Sequence, residues 1–535
     1  MSRHVFIICI SLLIVLAAGS AAAQGLAPTP WPVTRHDLAT TGLSPVATPA
    51  YGVPDWAAPI PGGGTTHGGI SILPGGDLVW KSYGPADGTN DGRVYRFDVT
   101  TKTVAWDSIT SAAVATGQWA HGGVAVGADG LYFGSRDATY SVGKLNYDGT
   151  LGWTMTVSGA DIQVRGTPVL NPSLNRLYVR DAGDSGILYC IDTTNGNEIW
   201  SFDMRAVVDP GVTFYSSFGM LTSWGTGAAG DMYLYDNSND SDESIVVRDD
   251  GASASAVWSH NAGNPGWQFS WHGSQLYNDG YLYASTFADG DPPRDSFYKI
   301  DATNGSIVWS LNLSDGAANH FCRPAMSPDG QTFYVGGHGG TVTAYDDNGA
   351  TGAVRWQYAS TLGTAEFNNY VSVAGTAGDV WIYAIGSDSL LYAFHDDGVQ
   401  TSPYLVWTYQ LGPVHYFGSW QAAVDADGGL YLAGGSGSEE YGNFILYHFP
   451  MWGPGDVTGN GVVDGLDLTA ILTAWETVPG DPLWNAYADL DTNQVVNGLD
   501  LTEVISNWTV SSSSAPEESE PAKPGKRLGN VRKGR

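Results

Sequence analysis

Residues 188–200 read LYCIDTTNGNEIW, and residues 297–309 read FYKIDATNGSIVW. Both run through alternating apolar residues to an Asp, turn on Asn-Gly, and place a Trp eight positions after the Asp. VYRFDVTTKTVAW (94–106) and IVVRDDGASASAVW (245–258) follow the same plan. Looser copies end at Trp153 (VGKLNYDGTLGW), Trp356 (VTAYDDNGATGAVRW) and Trp407 (LYAFHDDGVQTSPYLVW). Period-two alternation makes a strand, Asp with Asn-Gly or Asp-Gly makes a tight hairpin turn, and a second strand carries the Trp.

Upstream of most copies lies another hairpin, as at Asp129-Gly130, Asp329-Gly330 and Asp427-Gly428. Two hairpins form a four-stranded sheet that cannot bury both faces alone. Stacking such sheets around an axis, with each Trp wedged between neighbours, solves that. The last hairpin, 421–449, has no Asp-turn-Trp strand of its own, while Asp55-Trp56-Ala57 stands spare before the first full repeat. The expectation is an all-β, eight-bladed β-propeller with blades of about 50 residues. Its final blade is closed by the N-terminal strand, which removes an open sheet edge. Seven blades is the alternative count.

Composition agrees with many short aromatic strands and tight turns: Gly 71, Trp 20 and Tyr 28, with 14% charged residues in 535. A net charge of -31 argues against nucleic acid, whose binding needs positive potential, and supplies carboxylates for a hard cation. The start is basic (Arg3, His4), then nearly unbroken apolar over 5–18, then Ala21-Ala22-Ala23. That pattern predicts a signal peptide over 1–23, a mature start at Gln24 and a secreted, periplasmic or cell-surface protein. No later stretch reaches the roughly 18 apolar residues of a membrane span. Cys190 and Cys322, which fall in non-neighbouring repeats, are expected to be two free thiols.

The repeat of Leu-Tyr, Ile-Asp, turn, Gly and Ile-Trp resembles that of pyrroloquinoline-quinone-type, quinoprotein-like propellers. The resemblance covers 28–450, and the expected propeller domain is 26–450. WPVTRHDLATTGLSP (31–45) is similar to the segment that precedes the propeller in exported, non-catalytic members. Catalytic members stack the quinone on a vicinal Cys-Cys disulfide and hold Ca²⁺ beside it with a Glu, an Asn and an Asp. This chain has no adjacent cysteines, and no CxxCH haem motif. No quinone cofactor is expected.

Two motif copies lie 33 residues apart near the C-terminus, GDVTGNGVVDGLDLTAILTAW and ADLDTNQVVNGLDLTEVISNW. Each reads as an EF-hand-like Ca²⁺ loop running into a helix. Asp456, Thr458, Asn460, Asp464 and Asp467 take loop positions 1, 3, 5, 9 and 12, with the Val462 carbonyl at position 7. Asp489, Asp491, Asn493, Asn497 and Asp500, with the Val495 carbonyl, do the same in the second. Oxygen-only ligands at this spacing suit Ca²⁺ in two sites. Leu468, Ile471, Leu472 and Trp475 fall on one helical face, matched by Leu501, Val504, Ile505 and Trp508. So small a module needs its metal to fold.

Loops ending in Asp and continuing Leu-Thr resemble a type I dockerin, which implies Ca²⁺ dependence and docking onto a cohesin. The expected module is 454–510. Positions 10 and 11, which help choose the partner in that family, are Gly465-Leu466 and Gly498-Leu499, so the two faces look interchangeable. Two departures stand out: Thr458 at position 3, and Gln494 where a Gly permits the sharp turn. Beyond it, 511–535 is Ser-, Pro- and Glu-rich with a basic end, and is expected to be disordered.

Just ahead of successive blades stand His67, His121, Arg165, His272, Arg323 and Trp420. Equivalent positions would crowd them at one mouth of the central channel, where they could take an anionic or sugar ligand, with Trp119, Trp267 and Trp271 as stacking faces. The other reading is that they satisfy backbone carbonyls. Nothing matches GxSxG, HExxH or a P-loop. The expectation is therefore an exported, non-catalytic propeller binding a protein or glycan, attached to a partner through the dockerin-like module. The alternatives are a secreted polysaccharide hydrolase or lyase and, more distantly, a quinone-dependent dehydrogenase.

Overall fold

In the computed structural model the described residues are 25–508, apart from 45, 47–49, 61–67, 83–91, 118–121, 137–138, 159–162, 165, 182–185, 211–219, 238–242, 261–274, 286–296, 312–323, 338–339, 361–366, 368–369, 413–420, 437–442, 452, 459–461 and 492. The expected signal peptide, 1–23, and the expected tail, 511–535, lie outside them. Among them no helix is long and apolar enough to cross a membrane. The chain divides into two compact units, 1–452 and 453–535.

The first unit is a ring of eight four-stranded antiparallel sheets, so the count is eight blades and not seven. Blades 1 to 7 span 71–107, 124–155, 169–203, 222–260, 276–311, 325–359 and 372–410. Strands within a blade follow chain order. First strands begin on buried residues, and Val169–Leu170 is buried throughout, while fourth strands such as Leu151–Met155 are largely exposed. The first strands therefore face the axis and the fourth strands form the rim.

Blade 8 takes three strands from 423–449 and its outer strand from the N-terminus. Trp56–Ile60 pairs antiparallel with Asn443–Phe449, Trp56 opposite His448 and Ile60 opposite Phe444. The Trp56 ring then stacks on Phe97 of blade 1 at 5.8 Å, which closes the circle.

The repeated Asp-turn-Trp stretches are the third and fourth strands of the blades, and the tryptophans join blade to blade. At six seams the indole N–H donates to the third-to-fourth-strand turn of the next blade. The acceptors are the carbonyls of Tyr147 (from Trp106, 3.2 Å), Thr193 (from Trp153, 2.9 Å) and Ala302 (from Trp258, 2.8 Å), and the carboxylates of Asp249 (from Trp200), Asp347 (from Trp309) and Asp396 (from Trp356), each at 3.1 Å. The turn glycine is needed for this fit. A Cβ on Gly305 (φ +75°) would lie 2.7 Å from the Trp258 ring. The expected wedging holds, and Asn-Gly serves the seam as well as the turn.

Residues 31–44, part of the stretch similar to a segment that precedes the propeller in family members, run inside the ring. Val33 is buried, and Trp31, Thr34, Arg35 and Thr40 are buried and bonded to the first strands or the residues just ahead of them. The reason is physical: inward edges of first strands carry N–H groups that must be satisfied, and this segment satisfies them.

The second unit holds two short helices, α1 (Gly465–Thr473) and α2 (Gly498–Ser506), which touch around a small core of Val457, Val463, Ile471, Ala474, Val496 and Val504. The second loop meets the residues that follow α1 where the Glu476 N–H donates to the Val496 carbonyl (2.8 Å) and the Val496 N–H to the Thr477 carbonyl (3.1 Å).

Candidate metal centre and channel axis

Each helix of the second unit starts from its own loop. Asp464 caps α1 and Asn497 caps α2, and each closes a capping box with the Asp at loop position 12. That reciprocal bond holds the last loop carboxylate against the turn. In the second loop both Asp500 oxygens are oriented by backbone donors: Leu490 at 2.6 Å and Asp491 at 3.2 Å on one, Asn497 at 2.7 Å on the other.

One oxygen each from Asp489, Asp491 and Asp500 lies within 4.8 Å of the other two, and Asp489 and Asp500 are fully buried. Burial pushes the Asp500 carboxyl above its ordinary value, and the Asp491 charge adds to that. Three carboxylates this close repel one another, and a hard divalent cation among them removes the repulsion, so the residues fit Ca²⁺. Asn493 is tied back to Asp491 (2.7 Å), and the Val495 carbonyl accepts from Asn497 (2.9 Å). In the first loop Asp467 accepts from the N–H groups of Thr458 and Asp464, both at 2.8 Å, and Asp456 is buried. Thr458 thus reaches position 12 with its backbone and with its hydroxyl, also at 2.8 Å. Asn460 lies outside the described residues.

Gln494 adopts φ +66°, the left-handed turn that its position demands, so the loop keeps its path despite the missing Gly. The helical faces differ from expectation. Ile471 and Val504 are buried and Leu468 and Leu501 pack beside them, but Leu472, Trp475, Ile505 and Trp508 are exposed, as are Leu466 and Leu499. Each helix buries one turn of its stripe and leaves the rest, in two matching sets, to solvent.

At the propeller axis, Thr34 Oγ1 donates to the Gly68 carbonyl and lies 3.1 Å from Thr167 Oγ1. Arg35 is fully buried; its guanidinium donates to the carbonyls of Val371 and Thr40, both at 3.1 Å, and of Pro324. Inter-blade contact there is backbone on backbone: a Cβ on Gly68 would lie 2.0 Å from the Gly123 nitrogen. Thr34 and Arg35 lie on the axis at this level, bonded to residues of several blades. His67, His121, Arg165, His272, Arg323 and Trp420, with Trp119, Trp267 and Trp271, all lie outside the described residues. By sequence the first six stand within four positions ahead of a first strand. Cys190 is a buried free thiol, its pKa raised by burial, and Cys322 is outside the described residues.

These features define an eight-bladed propeller protein with an appended calcium-loop module. Residues 90–221, 139–291 and 184–399, together more than half of the 535, match the family described as outer membrane protein assembly factor BamB. The chain belongs to that family of quinoprotein-like repeat propellers, and 454–507 match the dockerin type I domain. No curated protein shows significant similarity to it.

Among solved structures it is similar to the quinohemoprotein alcohol dehydrogenase of Comamonas testosteroni, at 13% identity and TM-score 0.53 over 80% of this chain and 81% of that one. It is also similar to quinohemoprotein alcohol dehydrogenase ADHIIG of Pseudomonas putida HK5, at 13% identity and TM-score 0.50 over 81% of each chain. BamB of Moraxella catarrhalis aligns at 14% identity and TM-score 0.47 over 74% of this chain and 97% of that one. At such identities the likeness is one of fold. A dockerin is a calcium-binding module that takes a protein partner, and both domain types point to an extracellular or periplasmic setting.

Proposed function

We propose that this is an exported, non-catalytic binding protein in which the propeller takes a protein or glycan and the dockerin module ties it to a cohesin-like partner. The bounds that go with this reading are a signal peptide at 1–23, a propeller at 26–450, a module at 454–510 and a tail at 511–535. Ca²⁺ in two sites, held by the loop residues at positions 1, 3, 5, 7, 9 and 12, folds the module. The observation that carries the reading is the pairing of buried loop carboxylates with unburied apolar side chains on the helices they start. Leu466 with Trp475, and Leu499 with Trp508, are left uncovered by the module's own core. Apolar surface exposed in duplicate on so small a unit is characteristic of a surface that a partner covers.

The test is calorimetric titration of a type I cohesin into the full chain, with Ca²⁺ or with chelator. Binding is expected only with Ca²⁺, and Asp467→Ala with Asp500→Ala is expected to weaken it by more than about tenfold while reducing helical circular dichroism. Unchanged helicity after chelation would refute the metal-dependent fold. Helicity that chelation removes, without any cohesin binding in Ca²⁺, would leave the metal site standing and remove the partner.

A further inference from the structure

We propose that the propeller axis is a peptide-binding channel, which the chain occupies in cis with its own residues 31–44. First-strand N–H groups point inward around the ring. Those of Ile72, Val126, Ser223, Tyr277, Met326 and Val373 donate to the carbonyls of Trp31, Pro32, Leu38, Ala39, Thr41 and Gly42, at 2.7 to 3.0 Å. Taken in order, these donors belong to blades 1, 2, 4, 5, 6 and 7. Blade 3 is met through Thr34 and Thr167, and blade 8 through the Arg35 N–H, which donates to Gln421 Oε1 at 2.9 Å. The segment therefore makes one circuit and is bonded to every blade.

Main-chain recognition of this kind is how an edge strand takes a peptide, and here six edges share one ligand. Side-chain recognition is concentrated in Arg35. Its guanidinium sits in a socket of carbonyls from Thr40, Pro324 and Val371, with the Tyr370 ring 5.4 Å away. Gly42, at φ +62°, leaves room for it, since a Cβ there would lie 2.9 Å from Nη1. The segment is also bent as a bound ligand is. Arg35, His36 and Thr40 hold φ of 70°, 73° and 58°, values that free non-glycine residues rarely adopt and that the surrounding ring enforces. The ligand class is thus a coiled peptide with one arginine and small hydroxyl residues, and partners of the propeller are met at its faces and rim rather than through a pore.

The experiment introduces a protease site between Val46 and Ala50 of the full chain and cleaves the folded protein. The freed N-terminal piece is expected to stay with the propeller through size-exclusion chromatography and to leave only in denaturant. The depleted propeller, once refolded, is expected to melt lower and to recover with a synthetic peptide of residues 25–46, but not with that peptide carrying Arg35→Ala. Release of the piece from the native nicked protein, with the propeller transition unmoved, overturns the proposal. Should the depleted propeller fail to refold, the uncleaved chain decides: Arg35→Met must lower the propeller melting temperature by several degrees more than the exposed Lys102→Met. Equal melting of the two variants also overturns it.

Discussion

Gln494 sits at φ +66° in the turn of the second calcium loop, where a side chain strains the backbone by about 1 kcal/mol. Gln494→Gly removes that strain but adds freedom to the unfolded chain. We expect the Ca²⁺-loaded module to gain up to about 0.5 kcal/mol, read from its melting transition at saturating Ca²⁺; a loss of stability would contradict this account. The convergence of Asp489, Asp491 and Asp500 was legible in the sequence, because a twelve-residue loop fixes which positions meet. The exposure of Leu472, Trp475, Ile505 and Trp508 was not. Periodicity shows that apolar residues share a face, but not whether the module is wide enough to cover it.

Between elements, the seam of blades 5 and 6 shows how the repeat is held. Asp347 accepts from Trp309 (3.1 Å), Tyr283 (2.6 Å) and Lys299 (2.7 Å), all of blade 5. Burial works to raise the Asp347 pKa, but the bonds from Lys299, Tyr283 and Trp309 outweigh it and hold the carboxyl below its ordinary value. Its stabilisation is therefore present above the ordinary aspartate range and is lost as pH falls through the depressed native value. Asp347→Asn leaves Lys299 buried without its counter-charge and is expected to cost about 3 kcal/mol. Trp309→Ala is expected to cost about 3–5 kcal/mol. In urea melts the double variant should lose less than the sum, since both remove one network; strict additivity would mean the two act apart. The Trp of each repeat was plain in the sequence. Its acceptor was not, because that group belongs to the following blade and is a carbonyl at three seams and a carboxylate at three others.

The whole ring is shut at blade 8, and a histidine spans the join. His448 Nδ1 meets Asp55 at 2.7 Å on the N-terminal side, and Nε2 meets Asp425 at 3.1 Å, with Trp56 stacked on the imidazole and Tyr431 tilted against it. Burial pulls the imidazolium down, but the bonds to Asp425 and Asp55 outweigh it and raise the pKa above the ordinary histidine value. A raised native pKa means the contribution is complete below about pH 6.5 and fades as pH climbs through the native value. The propeller should accordingly lose melting temperature across that interval, and His448→Gln should flatten the loss; an unchanged pH profile in the variant would show that the join does not titrate. The blades and the calcium loops were determined by the sequence alone, since period-two alternation, turn residues and loop spacing act between near neighbours, whereas the structure decided between eight blades and seven. The occupied axis was decided only by tertiary structure. Arg35 meets Gln421 across 386 residues, and its carbonyl socket exists only once eight first strands have converged on one line.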